Sequence, residues 1–365
     1  MSKRLKAAVI GTGFIGGAHV EALKRVPGVD VVATCYAQIK ADNLDVPEAF
    51  SDYRVMIDTV KPDCVHICTP NNTHKDIAIY AIRHGVNVIC EKPLARNIEE
   101  AKEMLEAAEE SGLIHAVNYH NRFYPANSQL RNMIRDGTLG RIYGVQGSYL
   151  QDCFSKETDF NWRMLAEYGG NTRVTSDIGS HWIDLAEYVT GSRVKEVLAE
   201  FQTVLPTRKV KQAGVVREMK VDTEDTSYIM LRFENGAVGS ATFSQVFQGK
   251  KNQTVIRVSG SDMSAEWDSE SIGELKLGYR DEPNRILTKD PGLAHAETVP
   301  IISYPGGHVE GFPDAFKQNF IAIYSAIRAE KPANQYATFE DGMHQMQVID
   351  SLFESAGKGC WVSVE

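Results

Sequence analysis

From Leu5 to Ile10 an apolar run of strand length stops at Gly11-Thr-Gly-Phe-Ile-Gly16, after which Ala18, Ala22, Leu23 and Val26 recur at helical spacing. A strand, a glycine-rich turn and a helix in this order are the context that a dinucleotide fingerprint requires. Gly11 permits the tight turn, Gly13 lets the backbone approach a pyrophosphate, and Gly16 lets helix and strand pack closely. The helix N-terminus adds free N–H groups and the positive end of its dipole. Thr12, Phe14 and Ile15 fill the turn between the glycines and belong to the same candidate cofactor site.

Apolar runs at 29–35, 64–68, 86–90 and 113–118 alternate with helical stretches at 76–84 and 98–110. Such alternation makes a parallel sheet covered on both faces, so residues 1–122 are expected to form a doubly wound α/β domain. After Pro125 the pattern changes. One helix at 128–135 is followed by strand-like segments at 141–151, 194–204, 226–234, 237–247 and 252–259, with turn signals such as Glu234-Asn-Gly236 between them. Residues 123–365 are therefore expected to form an α+β domain with a large, mostly antiparallel sheet, helices at 178–189, 312–329 and 340–356, and surface loops through the polar run 268–300.

The length of 365 residues suits two domains. With 43% hydrophobic and 24% charged residues the chain is an ordinary globular one. No run approaches the ~20 apolar residues of a membrane helix. The balance of 39 basic against 48 acidic residues leaves no general footprint for nucleic acid or anionic lipid. Six cysteines without a C-x-x-C pattern read as reduced thiols, and the glycines that interrupt the apolar run after Lys3, Arg4 and Lys6 make a poor secretory signal. A cytoplasmic protein is expected.

The second strand ends at Thr34-Cys35-Tyr36, where an acidic residue normally binds the adenosine ribose and repels a 2′-phosphate. Its absence, with Lys40 and Asp42 the nearest charges, leaves NAD and NADP both open, and Tyr36 is placed to cover the adenine. Thr69-Pro70-Asn71-Asn-Thr-His74 and Glu91-Lys92-Pro93 follow the third and fourth strands of the sheet, at the carboxyl ends where open α/β sheets bind ligands. Asn71 or Asn72 equally suits a helix cap. Lys92 suits a fixed cation, or a solvated loop lysine. In the second domain Asp177 and His181 are four residues apart, on one face of a helix beginning near Asp177. They read as a capping residue with a core histidine, or as a proton acceptor oriented by a carboxylate; a metal pair lacks a third ligand, so no metal is expected. Trp162 and Arg163 offer an aromatic face and a fork of donors to a sugar ring, although a structural tryptophan fits as well. Tyr304-Pro-Gly-Gly-His308 is a loop that brings His308 within the range of a substrate contact.

The Gly11–Gly16 fingerprint, Thr69-Pro-Asn-x-x-His74, Glu91-Lys92-Pro93, Asn121-Arg122-Phe123-x-Pro125 and Asp177-x-Gly-x-His181-x-x-Asp184 stand in the order and spacing of the Gfo/Idh/MocA oxidoreductases, which the chain resembles over essentially its whole length. The segments Leu150-Gln-Asp152 and Trp162-Arg163 are most similar to its levoglucosan dehydrogenase-like, sugar-oxidising branch. The resemblance implies a Rossmann domain, a C-terminal sheet domain that assembles homodimers or homotetramers, and an active site between the domains. It implies that Thr69, Pro70, Asn71, His74, Glu91, Lys92 and Asn121 join the glycine turn and Tyr36 in cofactor binding. It implies Lys92, Arg122, Trp162, Arg163, Asp177, His181 and His308 for the substrate, a carbohydrate or polyol. His181 is implied as general acid/base, Lys92 as the group bonding substrate hydroxyl and nicotinamide ribose, and Asp177 as support for proton transfer. The implied activity is NAD(P)-dependent oxidation of a secondary alcohol to a ketone; glycoside cleavage with transient redox and a non-catalytic dinucleotide or sugar sensor are the other readings. Two departures from the family pattern are Tyr36 and the segment Asn171-Thr-Arg-Val174, where small glycines are common; the latter is expected to reshape the pocket.

Overall fold

Six strands pair in parallel among the described residues 4–36, 44–212, 214–329 and 335–365 of this computed structural model. They are β1 (Leu5–Ile10), β2 (Val29–Cys35), β3 (Glu48–Phe50), β4 (Cys64–Ile67), β5 (Asn87–Cys90) and β6 (His115–Val117), in the order β3-β2-β1-β4-β5-β6. Ala7, Ala8, Val9, Val65, Ile67, Val88 and Ile89 are wholly buried, as strands covered on both faces must be. The crossovers carry α1 (Phe14–Lys24), α2 (Tyr53–Val60), α3 (His74–Arg83) and α4 (Ile98–Ser111). Asn97 caps α4 by accepting the Glu100 N–H, and Gly112 ends it in the left-handed conformation. All six cysteines are free thiols, and among the described residues no helix is long and apolar enough to cross a membrane.

The first unit is not confined to the N-terminal segment. It comprises Met1–Phe123 together with Gly311–Met346. The reason lies in the helix Phe312–Ile327, whose Phe316, Phe320, Ile323 and Tyr324 pack in one apolar core with Val20, Leu23, Ile89 and Ala116. A domain division at a single point near 122 therefore misses the returning segment.

The second unit comprises Tyr124–Glu310 and Gln347–Glu365. Its helices include α5 (Pro125–Arg135) and α6 (Ser180–Thr190). Its strands are β7 (Ile142–Leu150), β8 (Val194–Gln202), β9 (Thr207–Gln212), β10 (Val215–Lys220), β11 (Thr226–Phe233), β12 (Val238–Ser244), β13 (Gln253–Gly260), β14 (Ser264–Asp268), β15 (Glu274–Gly278), β16 (Arg285–Thr288) and β17 (Val362–Ser363). Nine of them form a sheet in the order β16-β15-β14-β13-β7-β12-β11-β8-β17, antiparallel throughout except for β7 with β12; β9 and β10 form a separate hairpin. The surface loops expected at 268–300 are corrected here in part, because β15 and β16 extend the sheet. Leu275 and Leu277 point inward and Glu274 and Lys276 alternate with them, and that exposed polar half made the segment read as loop.

Every residue of α6 is buried. The helix is fixed to the sheet where the Trp182 indole N–H donates to Val255 O at 2.8 Å. Gly147 makes room for this contact, since a Cβ there would stand 1.9 Å from Val255 O and 2.5 Å from Trp182 Nε1.

Ahead of α6 the chain forms one π-helical turn, Thr175–Gly179, in which Ser180 N–H reaches Thr175 O. The expected start of an ordinary helix near Asp177 is thus replaced by a wider turn. Two buried carboxylates hold its entry. Glu224 accepts the backbone N–H of Arg173 at 2.9 Å and of Thr175 at 2.8 Å. Asp225 is shared by the wholly buried guanidinium groups of Arg173 and Arg208, and Arg208 also donates to Phe154 O and Lys156 O. Arg173, in the unusual segment 171–174, therefore points into a buried ion cluster, not into a pocket. Removing one partner of such a cluster leaves buried charge uncompensated, at a cost of about 3–5 kcal/mol. Asp225→Ala should lose that amount in urea unfolding; a loss under about 1 kcal/mol would show that the cluster does not hold this unit together.

Candidate active site

The ladder of the parallel sheet runs one step past its strands. Gly11 N–H donates to Cys35 O at 2.8 Å, Cys68 N–H to Ile10 O at 2.7 Å, Glu91 N–H to Ile67 O at 2.9 Å and Asn118 N–H to Cys90 O at 2.9 Å. Since β1, β4 and β5 are neighbours, the glycine turn, the loop 69–74 and the Glu91-Lys92-Pro93 turn stand side by side at the carboxyl edge.

The glycine turn is closed where it packs and open where a ligand approaches. Gly11 has φ +95°, and a Cβ on Gly16 would lie 1.8 Å from Gly11 O. A Cβ on Gly13 would meet nothing within 4 Å, so its backbone is accessible, and this geometry fits a pyrophosphate on the N-terminus of α1. Thr12 is buried, Ile15 is half-buried, and Phe14 is 81% exposed with its ring stacked on Phe312 at 6.4 Å. Tyr36 is half-buried at the end of β2 and bonds Phe50 O through its N–H. Lys40 and Asp42 lie outside the described residues.

Thr69 and Pro70 are half-buried, and Asn71 is buried in a 3-10 turn, Asn71–Thr73. His74 is wholly buried and staples two loops, with Nε2 2.9 Å from Thr69 O and Nδ1 3.2 Å from Pro93 O. Lys92 is half-buried, while Glu91 before it is buried against His19 and Asn118. Burial pushes the Glu91 carboxyl up, but the bonds from His19 and Asn118 and the Lys92 ammonium outweigh it and hold it at about 2. Asn121 and Arg122 are buried in the turn His120–Phe123, with Arg122 Nη1 3.3 Å from Asp341 Oδ2. Burial pushes the His120 imidazole, packed against Phe312 and Phe316, down to about 3.

In the second unit Asp177 sits in the π-helical turn and His181, 5% exposed, in the first turn of α6. Each Asp177 oxygen has a partner: Gln245 Nε2 donates to Oδ2 at 2.8 Å, and Arg163 Nε lies 3.3 Å from Oδ1. Arg163 stacks over Trp162 at 4.3 Å, so the indole carries the guanidinium that meets Asp177. The Tyr149 ring is 6.3 Å from His181, and burial, with Asp177 nearby, pushes its hydroxyl up to about 12. His308 is exposed on its loop, whose neck is pinned by Glu310 accepting Lys289 Nζ at 2.7 Å and Ser303 N–H at 2.8 Å.

Gln245 and Tyr149 were not among the sequence candidates. Gln245 follows β12 with no motif around it, and only strand register brings it to Asp177. His19 was missed although a signal existed: with Ala22, Leu23 and Val26 it occupies the i, i+3, i+4, i+7 core face of α1.

The sequence profile described as an oxidoreductase family with an NAD-binding Rossmann fold matches residues 5–119, and that of the GFO/IDH/MocA C-terminal domain matches residues 127–266. Levoglucosan dehydrogenase of Pseudarthrobacter phenanthrenivorans is 30% identical across 99% of this chain and 98% of its own. D-glucoside 3-dehydrogenase of Escherichia coli is 31% identical over 65% of this chain and 69% of its own. A solved levoglucosan dehydrogenase in complex with NADH and L-sorbose superposes with a TM-score of 0.91 at 29% identity, covering 100% of this chain and 99% of that one. The chain belongs to the Gfo/Idh/MocA oxidoreductases, a family of NAD-dependent sugar and cyclitol dehydrogenases with an NAD-binding Rossmann domain.

Proposed function

We propose that this enzyme oxidises a secondary alcohol of a sugar, sugar derivative or cyclitol to a ketone, with His181 as the proton acceptor. The observation that carries the reading is the Asp177 carboxylate, occupied by Gln245 and Arg163 one helical turn ahead of His181. A carboxylate on the turn before an imidazole offsets the charge that the ring gains when it takes a proton. Full-length similarity to levoglucosan dehydrogenase supports a pyranose-sized polyol such as an anhydrosugar.

Gly11, Thr12, Gly13, Phe14, Ile15 and Gly16, with Tyr36, Thr69, Pro70, Asn71, Lys92 and Asn121, hold the dinucleotide, and His74 and Glu91 hold the loops that do so. Bound NAD+ supplies the hydride acceptor for the carbinol C–H. His181 takes the hydroxyl proton as the ketone forms. The Lys92 ammonium favours the developing alkoxide. Trp162, Arg163, Arg122 and His308 shape the substrate site. The reaction takes place in the cytoplasm, where the six thiols stay reduced.

Assembly as a homodimer or homotetramer through the nine-stranded sheet is part of the same proposal. One row of its strand register, Met230, Ser240, Gln146, Arg257, Glu266, Lys276 and Ile286, crosses the sheet on one face with apolar ends and a charged centre. Light scattering should give a multiple of the chain mass; a monomer would refute the assembly.

Reduction of NAD+ and NADP+ is followed with levoglucosan, monosaccharides, inositols and disaccharides. Turnover of at least one polyol is expected, whereas release of an aglycone without accumulated NADH would replace the dehydrogenase reading by glycoside cleavage. Lys92→Met should keep most of its NADH affinity through the remaining residues of the site and lose at least about a hundredfold in turnover; near-normal turnover removes Lys92 from the mechanism. Tyr36→Asp should shift preference toward NAD+ by about tenfold or more, because a carboxylate there repels a 2′-phosphate. An unchanged ratio would place cofactor choice elsewhere.

A further inference from the structure

A histidine on the core face of α1 has to be satisfied by polar partners or be costly to bury. His19 is wholly buried, and it lies in the middle of a chain of buried polar side chains that crosses the first unit. Its Nε2 is 2.8 Å from Glu91 Oε1 and its Nδ1 is 2.9 Å from His66 Nδ1; His66 Nε2 is 3.1 Å from the Tyr324 hydroxyl. Asn118 Nδ2 donates to the same Glu91 oxygen at 2.5 Å, and Asn319 Nδ2 donates to Asn118 Oδ1 at 2.8 Å.

The Glu91 carboxylate only accepts, so His19 Nε2 carries a proton. Burial favours the neutral form of His66, in which one ring nitrogen donates and the other accepts, between His19 Nδ1 and the Tyr324 hydroxyl. Every link from the helix Phe312–Ile327 through β4 and α1 to the end of β5 has a polar partner.

A tight turn does not need a buried charge. Buried ionic networks seldom add stability over well-packed apolar residues, so their retention favours a role in fixing one geometry. The geometry fixed here is that of the residue before Lys92 relative to the helix that opens with the glycine turn. We propose that His19 is a positioning residue that acts through the Glu91 carboxylate to set Lys92 against the glycine turn. The inference rests on the assignment of Lys92 as the catalytic cation.

The test uses the full-length protein and the polyol turned over fastest in the substrate panel. His19→Phe keeps a ring in the core and removes the donor to Glu91. Its NADH affinity should stay within about threefold, and kcat should fall by about 10- to 100-fold with a smaller change in KM, the range seen when orienting partners of a reacting group are lost. His19→Gln, whose amide offers an N–H to Glu91, should recover most of kcat; a purely structural role would lower Tm and leave kcat in place. A folded His19→Phe with kcat within twofold of the parent overturns the proposal. If that variant does not fold, Tyr324→Phe carries the test, since it removes the hydroxyl at the far end of the chain and little volume. A few-fold, kcat-selective loss is expected of it, and unchanged kcat overturns the proposal. Lys92→Met measured alongside separates the two claims. Lost turnover there with full turnover in His19→Phe overturns the positioning role alone, whereas full turnover in Lys92→Met overturns the underlying assignment and this inference with it.

Discussion

Parallel pairing of β1 with β4 and of β4 with β5 is the constraint from which the cofactor side of this molecule follows. Parallel strands all end at the same edge, so their carboxyl-terminal loops are collected there whatever their sequences. The bonds Gly11 to Cys35, Cys68 to Ile10 and Glu91 to Ile67 extend the ladder into those loops. Three side-chain devices then fix the loops to one another: the contact of Gly16 with Gly11 O, the His74 staple, and the two donors on Glu91. Each removes freedom from the backbone at the carboxyl edge of the sheet.

The carboxylates of the second unit differ in what they face. Asp225 is wholly buried and serves two guanidinium groups, and Glu224 serves backbone N–H groups; both are occupied by structure. Asp177 retains 17% exposure of its side chain and meets the side chains of Gln245 and Arg163. Distance along the chain conceals this difference, because Arg173 and Asp177 are four residues apart and look equally available.

What was legible in the sequence was what depends on local pattern. The glycine turn, the alternation of β1, β2, β4, β5 and β6 with α1, α3 and α4, and the 177/181 spacing follow from short-range chemistry, whereas the three-residue β3 and the helix α2 were not read. The register that carries Gln245 to Asp177 and the return of the helix Phe312–Ile327 to the first core are long-range, and no local signal marks them. β15 was obscured because Glu274-Leu-Lys-Leu-Gly278 is polar on one face only, and its average polarity hid the alternation. Arg163 read as a donor fork for a sugar, but its Nε faces Asp177, a pairing that sequence spacing does not display. His19 shows the opposite failure: its position on the core face was visible, and its partners at 66, 91 and 324 were not.

The rigidity of α6 bears on how one scaffold can treat different sugars. Its complete burial and the Trp182 bond to Val255 leave His181 no latitude to follow a substrate. Sites on packed helices hold chemistry more closely than sites on loops, and loops tolerate change at smaller cost. The second unit places the residues proposed for these two roles on different elements. The segment carrying Trp162 and Arg163 is tied at its start by Arg208 to Phe154 O and Lys156 O, and the loop carrying His308 is tied at its neck by Glu310. In the proposed reading, substrate identity belongs to residues near 162 and 308 and proton transfer belongs to α6, with Arg163 joining the first of these segments to Asp177 at the entry to the helix.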